Sequence, residues 1–158
     1  MEKEFSLEPK KSQALAEIRQ LAACNTFTAK FGLMLSERQL TNLTERRFEA
    51  LKDNGRVEFG GGIMKKLIYA FCDSPYVQQQ TWEDTLLELQ DAFYYYKNEA
   101  DDNLSDDELI EYMKKTFDGI AQGSMEYLTE TSLEELCRNA RHGRMEEERD
   151  EEDEDEEY

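Results

Sequence analysis

Apolar residues recur most regularly at Trp82, Leu86, Leu89, Phe93 and Tyr96, at spacings of four, three, four and three. Residues three and four apart share one face of a helix, so this seam predicts a helix. Leu109, Ile110, Met113 and Phe117 form a second seam behind Ser105 and Glu108. That pair matches a capping box, in which a hydroxyl and a carboxylate three residues apart satisfy each other's backbone amides. Ser36 with Gln39 is another such box, opening a helix on Leu40, Leu43, Phe48 and Leu51 that ends at Asn54 and Gly55. Upstream, Ser12 is placed to cap a first helix on Leu15, Ile18, Leu21 and Ala22, running to Lys30 and stopped by Gly32. Phe27, Ala29, Phe31, Leu33 and Leu35 also alternate as a strand would. Helix to Lys30 and an extended Leu33–Leu35 are favoured, because a strand there has one short candidate partner, Arg56–Phe59.

The middle of the chain reads differently. Gly60, Gly61 and Gly62 precede a run in which Ile63, Met64, Leu67, Ile68, Ala70 and Phe71 are apolar and only Lys65 and Lys66 intervene. A helix that is apolar nearly all round belongs inside a structure. Pro75 disfavours the helical conformation at Ser74, so this helix should stop near Asp73. Near the end, Gly119 and Gly123 bracket a break. Met125–Thr129 is a short helical piece, and Ser132 with Glu135 opens a last helix to about Arg141. The expected fold is all-α, a single-domain bundle of about six helices around Ile63–Cys72. A flexible leader over 1–11 precedes the domain over 12–144, and a disordered acidic tail follows over 145–158.

Composition narrows the function. The chain has 158 residues and a net charge of −18. Residues 146–158 hold eleven Asp and Glu and one Arg, a net −10, which leaves −8 for residues 1–145. An acidic body argues against direct binding to nucleic acid or to an anionic membrane, both of which need a basic face. Cys24, Cys72 and Cys137 lie far apart in apolar contexts and His142 is the single histidine, so no zinc site, other metal or cofactor is expected. No apolar run is long enough for a signal segment or a membrane span, which makes cytoplasmic the default location.

Four constellations carry candidate chemistry. The glycines with Lys65 and Lys66 suggest anion binding at a helix entry, but neither phosphate-loop pattern is present, and close packing explains them equally well. Residues 98–111 are acidic, yet no register places a glycine at the sixth position of a calcium loop. They read as a solvated loop, with weak surface binding of divalent cations left open. Asp73, Ser74 and Tyr76 cluster after the apolar helix without a base to pair with, so helix-end bonding outweighs catalysis. Tyr94, Tyr95 and Tyr96 span nearly a full turn, so at least one ring should reach solvent.

The strings GRVEFGGG (55–62), LIYAFCDSPY (67–76), LQDAFYYYKNE (89–99), LSDDELIEYMKKTFDG (104–119) and QGSMEYL (122–128) resemble a family of small proteins from anaerobic Gram-positive bacteria, classed as a domain of unknown function. The resemblance spans roughly residues 15–140 and implies a bacterial cytoplasmic protein with one recurring domain. It implies no activity, cofactor or catalytic residue, and the acidic tail lies outside it.

The leading expectation is a non-enzymatic protein-interaction or regulatory module. Its acidic surface, built from Tyr94, Tyr95, Asp101, Asp102, Asp106 and Asp107, would meet a basic protein partner. Two rivals stand beside it. One is a nucleic-acid mimic that occupies a DNA-binding protein. The other is a small-ligand or phosphate binder using Gly60, Gly61, Gly62, Lys65, Lys66, Asp73 and Tyr76. Oligomeric state is left open.

The tail carries too little apolar surface to fold by itself. Deleting residues 146–158 should leave the thermal midpoint within a few degrees, as differential scanning calorimetry would show; a large drop would make the tail part of the fold.

Overall fold

The computed structural model describes residues 14–58 and 62–141. The leader, Ser12, Gly60, Gly61, His142 and the acidic tail fall outside them. Among the described residues the structure is helical throughout, with no strand. The chain groups into two compact units, Met1–Tyr94 and Tyr95–Tyr158.

In the first unit, α1 covers 14–23 and breaks at Cys24. The short α2 (Asn25–Thr28) follows and tightens into a 3₁₀ turn, Ala29–Phe31. Next come α3 (Glu37–Asp53), α4 (Met64–Phe71) and α5 (Trp82–Glu99), the last entered through the 3₁₀ turn Gln79–Thr81. The Ser36 box forms as the pattern predicts: its hydroxyl accepts from the Gln39 amide at 3.2 Å, and Gln39 Oε1 accepts from the Ser36 amide at 2.9 Å. Ile63, Met64, Leu67, Ile68, Phe71 and Cys72 are all buried, so α4 is an inner helix of this unit. It ends at Phe71, two residues before Asp73.

Leu33–Leu35 is extended but joins no sheet. Its backbone is served by side chains instead. The Gln79 amide pairs with both the NH and the carbonyl of Met34 at 2.8 Å, and Asn25 does the same for Leu35 at 2.8 and 2.9 Å. Thr28 Oγ1 donates to the Leu33 carbonyl at 2.7 Å. Two carboxamides thus do what neighbouring strands would do for an extended segment.

Two stripes turn out differently from the pattern. Leu15 is exposed, and Glu17, Leu21 and Cys24 face inward from α1. On α3 the inward positions are Leu40, Leu43, Thr44, Arg47, Ala50 and Leu51, with Phe48 rotated toward solvent. In both cases a charged residue holds an interior position beside apolar ones.

The second unit begins with the last turn of α5 and continues through α6 (Asp106–Asp118) and a helical run, α7, over 125–141. The Ser105 box forms with Glu108, and these bonds hold the Glu108 carboxyl below its usual range. Leu109, Ile110, Met113 and Phe117 are buried as predicted. The break expected between Thr129 and Ser132 is absent. Met125–Tyr127 passes directly into a π turn, Leu128–Leu133, so Ser132 lies inside a continuous run and caps nothing. A π turn displaces backbone carbonyls from their helical partners. Here the Tyr96 hydroxyl donates to the Thr129 carbonyl at 2.5 Å and the Tyr112 hydroxyl to that of Ser132 at 3.4 Å.

One feature of the first unit's core costs stability. Gln90 is fully buried, and among the described residues neither atom of its carboxamide has a hydrogen-bond partner; the same holds for the Trp82 indole NH and the Thr44 hydroxyl. An unsatisfied buried amide costs about 1–3 kcal/mol in proteins. Gln90→Leu, which keeps the volume, should therefore raise unfolding stability by about 1–2 kcal/mol in urea titration. A loss of similar size would show that the carboxamide is needed where it is.

Candidate functional site

The polar centre of the first unit is Arg47, whose side chain is 3% exposed. Its Nη1 lies 2.5 Å from Glu17 Oε1, and its Nε donates to Glu58 Oε1 at 2.9 Å. That same Glu58 oxygen accepts from the Tyr94 hydroxyl at 2.5 Å. Burial works against the guanidinium charge, but the hydrogen bonds and charges of Glu17 and Glu58 outweigh it and raise the pKa of Arg47. Tyr94 is raised well above the ordinary phenol range, first by burial and then by its bond to Glu58, so it stays a donor. A buried charge is tolerable only when paired and hydrogen-bonded, and removing one partner of such a pair costs about 3–5 kcal/mol.

Gly62 lies against this cluster at φ +60°. A Cβ there would collide with Glu58 Oε1 and sit 2.6 Å from Arg47 Nε. The nearest anion to the end of the glycine run is therefore the protein's own carboxylate, and the nearest cation is already held by it. Lys65 and Lys66 are exposed at the start of α4, while Asp73 and Tyr76 are exposed past its end. Lys66 and Asp73 are seven positions apart in sequence, five of the residues between them in α4.

In the second unit, Tyr95 is 47% exposed, the solvent-facing ring that the tyrosine run predicts. The charge of Glu99 is the main cause of its raised pKa, with Glu134 adding to it. α5 then ends in a Schellman turn: the Asp102 amide donates to the Lys97 carbonyl and the Asp101 amide to that of Asn98. Asp101 and Asp102 take φ of +53° and +57° and are both exposed. Asp107 is exposed, whereas Asp106 is half-buried and pairs with Lys97 Nζ at 3.0 Å.

Of the six residues expected on a partner surface, Tyr94 departs most from expectation. Its ring is fully enclosed in the first unit, because the seam from Leu86 through Gln90 carries it inward to Glu58. Glu99 and Glu134 beside Tyr95 were not among the sequence candidates; Glu134 lies on a helix that no local spacing links to Tyr95. A second missed feature is an exposed aromatic cluster on the first unit. Phe27 lies 5.8 Å from Phe31 and 5.4 Å from Tyr69 between ring centres, with Lys30 Nζ 4.6 Å over the Phe27 ring.

The three cysteines are free and buried, and burial, with the charges of Glu134 and Glu99, pushes the Cys137 thiol up to about 11. A thiol so held is a poor nucleophile at neutral pH. Among the described residues no group of three or more His, Cys, Asp or Glu is arranged to hold a metal ion, and no helix is long and apolar enough to cross a membrane.

A family model described as a family of unknown function, DUF6323, matches residues 20–146. The chain belongs to the DUF6323 family. No curated protein and no solved structure matches it. The matched range takes in Arg47, Glu58, Gly62 and Tyr94, and the acidic turn as well; Glu17 falls just before it.

Gly62 and Gly55 both take a left-handed conformation, yet a Cβ on Gly55 would meet nothing within 4 Å. Gly55→Ala should cost about 1 kcal/mol for the backbone alone, and Gly62→Ala about 1–3 kcal/mol more. Equal losses in chemical denaturation would mean that the ion pair yields freely to a side chain.

Proposed function

We propose that this member of the DUF6323 family is a non-enzymatic protein-interaction module whose second unit meets a basic face of a partner protein. The observation that carries the reading is the setting of Tyr95: a half-exposed ring among Glu99 and Glu134, two turns of chain before the exposed Asp101 and Asp102. Exposed aromatic side chains supply the apolar anchoring that interfaces use, and a concentration of carboxylates steers a basic partner toward the anchor. Asp107 belongs to the same acidic stretch, while Asp106 chiefly holds Lys97.

The two contributions separate kinetically. Replacing Asp101, Asp102 and Asp107 by Asn should slow association and flatten its salt dependence, and Tyr95→Ala should mainly speed dissociation. The measurement is quantitative co-purification at low salt, comparing the native chain with both variants, followed by surface plasmon resonance on any protein that the native chain enriches. A partner retained equally by all three chains would place recognition elsewhere. An identical set of proteins on every chain would remove the reading altogether.

A further inference from the structure

The exposed aromatic cluster of the first unit uses no residue of the acidic turn. It is built by α2 with its 3₁₀ turn and by α4. Phe27, Phe31 and Tyr69 are 38%, 45% and 41% exposed, and the Phe27 ring meets both of the others. Apolar area gathered in this way marks a contact surface, whereas rings scattered singly do not.

The charge around these rings is opposite in sign to that of the chain. No Asp or Glu occurs from residue 18 to residue 36, or from residue 62 to residue 72. Lys30 holds its ammonium over the Phe27 ring, and Lys65 stands four residues before Tyr69, a neighbour on the same face of α4. Both lysines are exposed, and among the described residues neither forms an ion pair with a carboxylate. Of the acids that border the two segments, Glu17 and Glu58 are held by Arg47, Glu37 opens α3, and Asp73 lies past the end of α4.

The net charge of −18 repels an acidic ligand at a distance. That field fades over about 8 Å at physiological ionic strength, so a ligand lying on the rings meets the two lysines instead. A long polyanion, whether nucleic acid or a charged bilayer, extends past this range and meets the remaining charge of the chain. A short peptide segment does not. We infer that this face docks a short acidic and apolar segment of a partner protein, with Leu or Phe side chains on Phe27, Phe31 and Tyr69 and carboxylates on Lys30 and Lys65.

The test is fluorescence anisotropy on the full chain at physiological salt. Its probes are a labelled peptide that alternates Glu with Leu and Phe, and a neutral version with Gln for Glu. Saturable binding of the acidic peptide is expected. Lys30→Gln with Lys65→Gln should weaken that peptide roughly tenfold and the neutral one less than about twofold, while Phe31→Ala should weaken both. Thermal melts of each variant show whether the fold is retained. Three results would overturn the inference: no saturable binding of the acidic peptide, equal loss of both peptides in the double variant, or binding that Tyr95→Ala removes and Phe31→Ala does not. Tighter binding of oligothymidylate or of phosphatidylglycerol vesicles, lost in the same variants, would overturn it in favour of nucleic acid or membrane. A dimer in sedimentation that Phe31→Ala abolishes would give the face to a second copy of the chain instead.

Discussion

A guanidinium can be taken out of water only where carboxylates go with it, and the first unit is arranged around that requirement at Arg47. The two acids that reach it come from different places in the chain, Glu17 on α1 and Glu58 on the segment after α3. Each fixes something that apolar packing leaves free. Glu17 sets which face of α1 turns inward, and so leaves Leu15 in solvent. Glu58 holds down a segment that has no strand to pair with, and it also fixes the hydroxyl of Tyr94. Gly62 completes the arrangement, since any side chain there would enter the space of the pair. Replacing one member leaves another charge buried without its counter-ion, which is why such clusters behave as units.

The second unit solves a different backbone problem by similar means. Two carbonyls of its π turn accept from phenols, that of Thr129 from Tyr96 and that of Ser132 from Tyr112. Tyr96 is raised above its ordinary range by burial and then by Glu134, so it too remains a donor. Three adjacent tyrosines therefore end in three settings. Tyr94 serves an internal carboxylate, Tyr96 a backbone carbonyl of the π turn, and Tyr95 stands in solvent. Successive helical residues point about 100° apart, so a run of three cannot share a role.

Local chemistry was legible wherever one stretch of chain decides the outcome. The two capping boxes, the stripes of α4 and α6 and the seam of α5 all follow from residues within a turn or two. Gly32 and Gly55 announce the Schellman turns that end the 3₁₀ turn after α2 and α3. The third such turn was hidden because Asp101 stands where glycine is usual; a short polar side chain tolerates the left-handed region. Arg47 was missed for a related reason. A periodicity count reads arginine as outward, and Phe48 next to it looked the better core residue. The partners that draw Arg47 inward instead lie thirty residues before it and eleven residues after it, beyond any helical spacing. Gln79 and Asn25, which support the extended Leu33–Leu35, were equally out of reach. Side-chain bonds across ten and 45 residues leave no periodic trace.

Salt acts on the charges of this protein in two opposite senses. Outside residues 146–158 the chain still carries −8, and that excess repels itself in the folded state. Counter-ions relieve the repulsion, whereas they hardly reach Arg47 and its partners, where water is excluded. The carboxylates around Tyr95 are exposed, and their field is screened beyond about 8 Å at physiological ionic strength. Added salt should then steady the fold while it weakens the encounter with the proposed basic partner. A loss of binding that accompanies an unchanged or raised thermal midpoint thus reports on steering alone. A loss that tracks the midpoint would point instead to the fold itself, and to ion pairs more exposed than the Arg47 cluster.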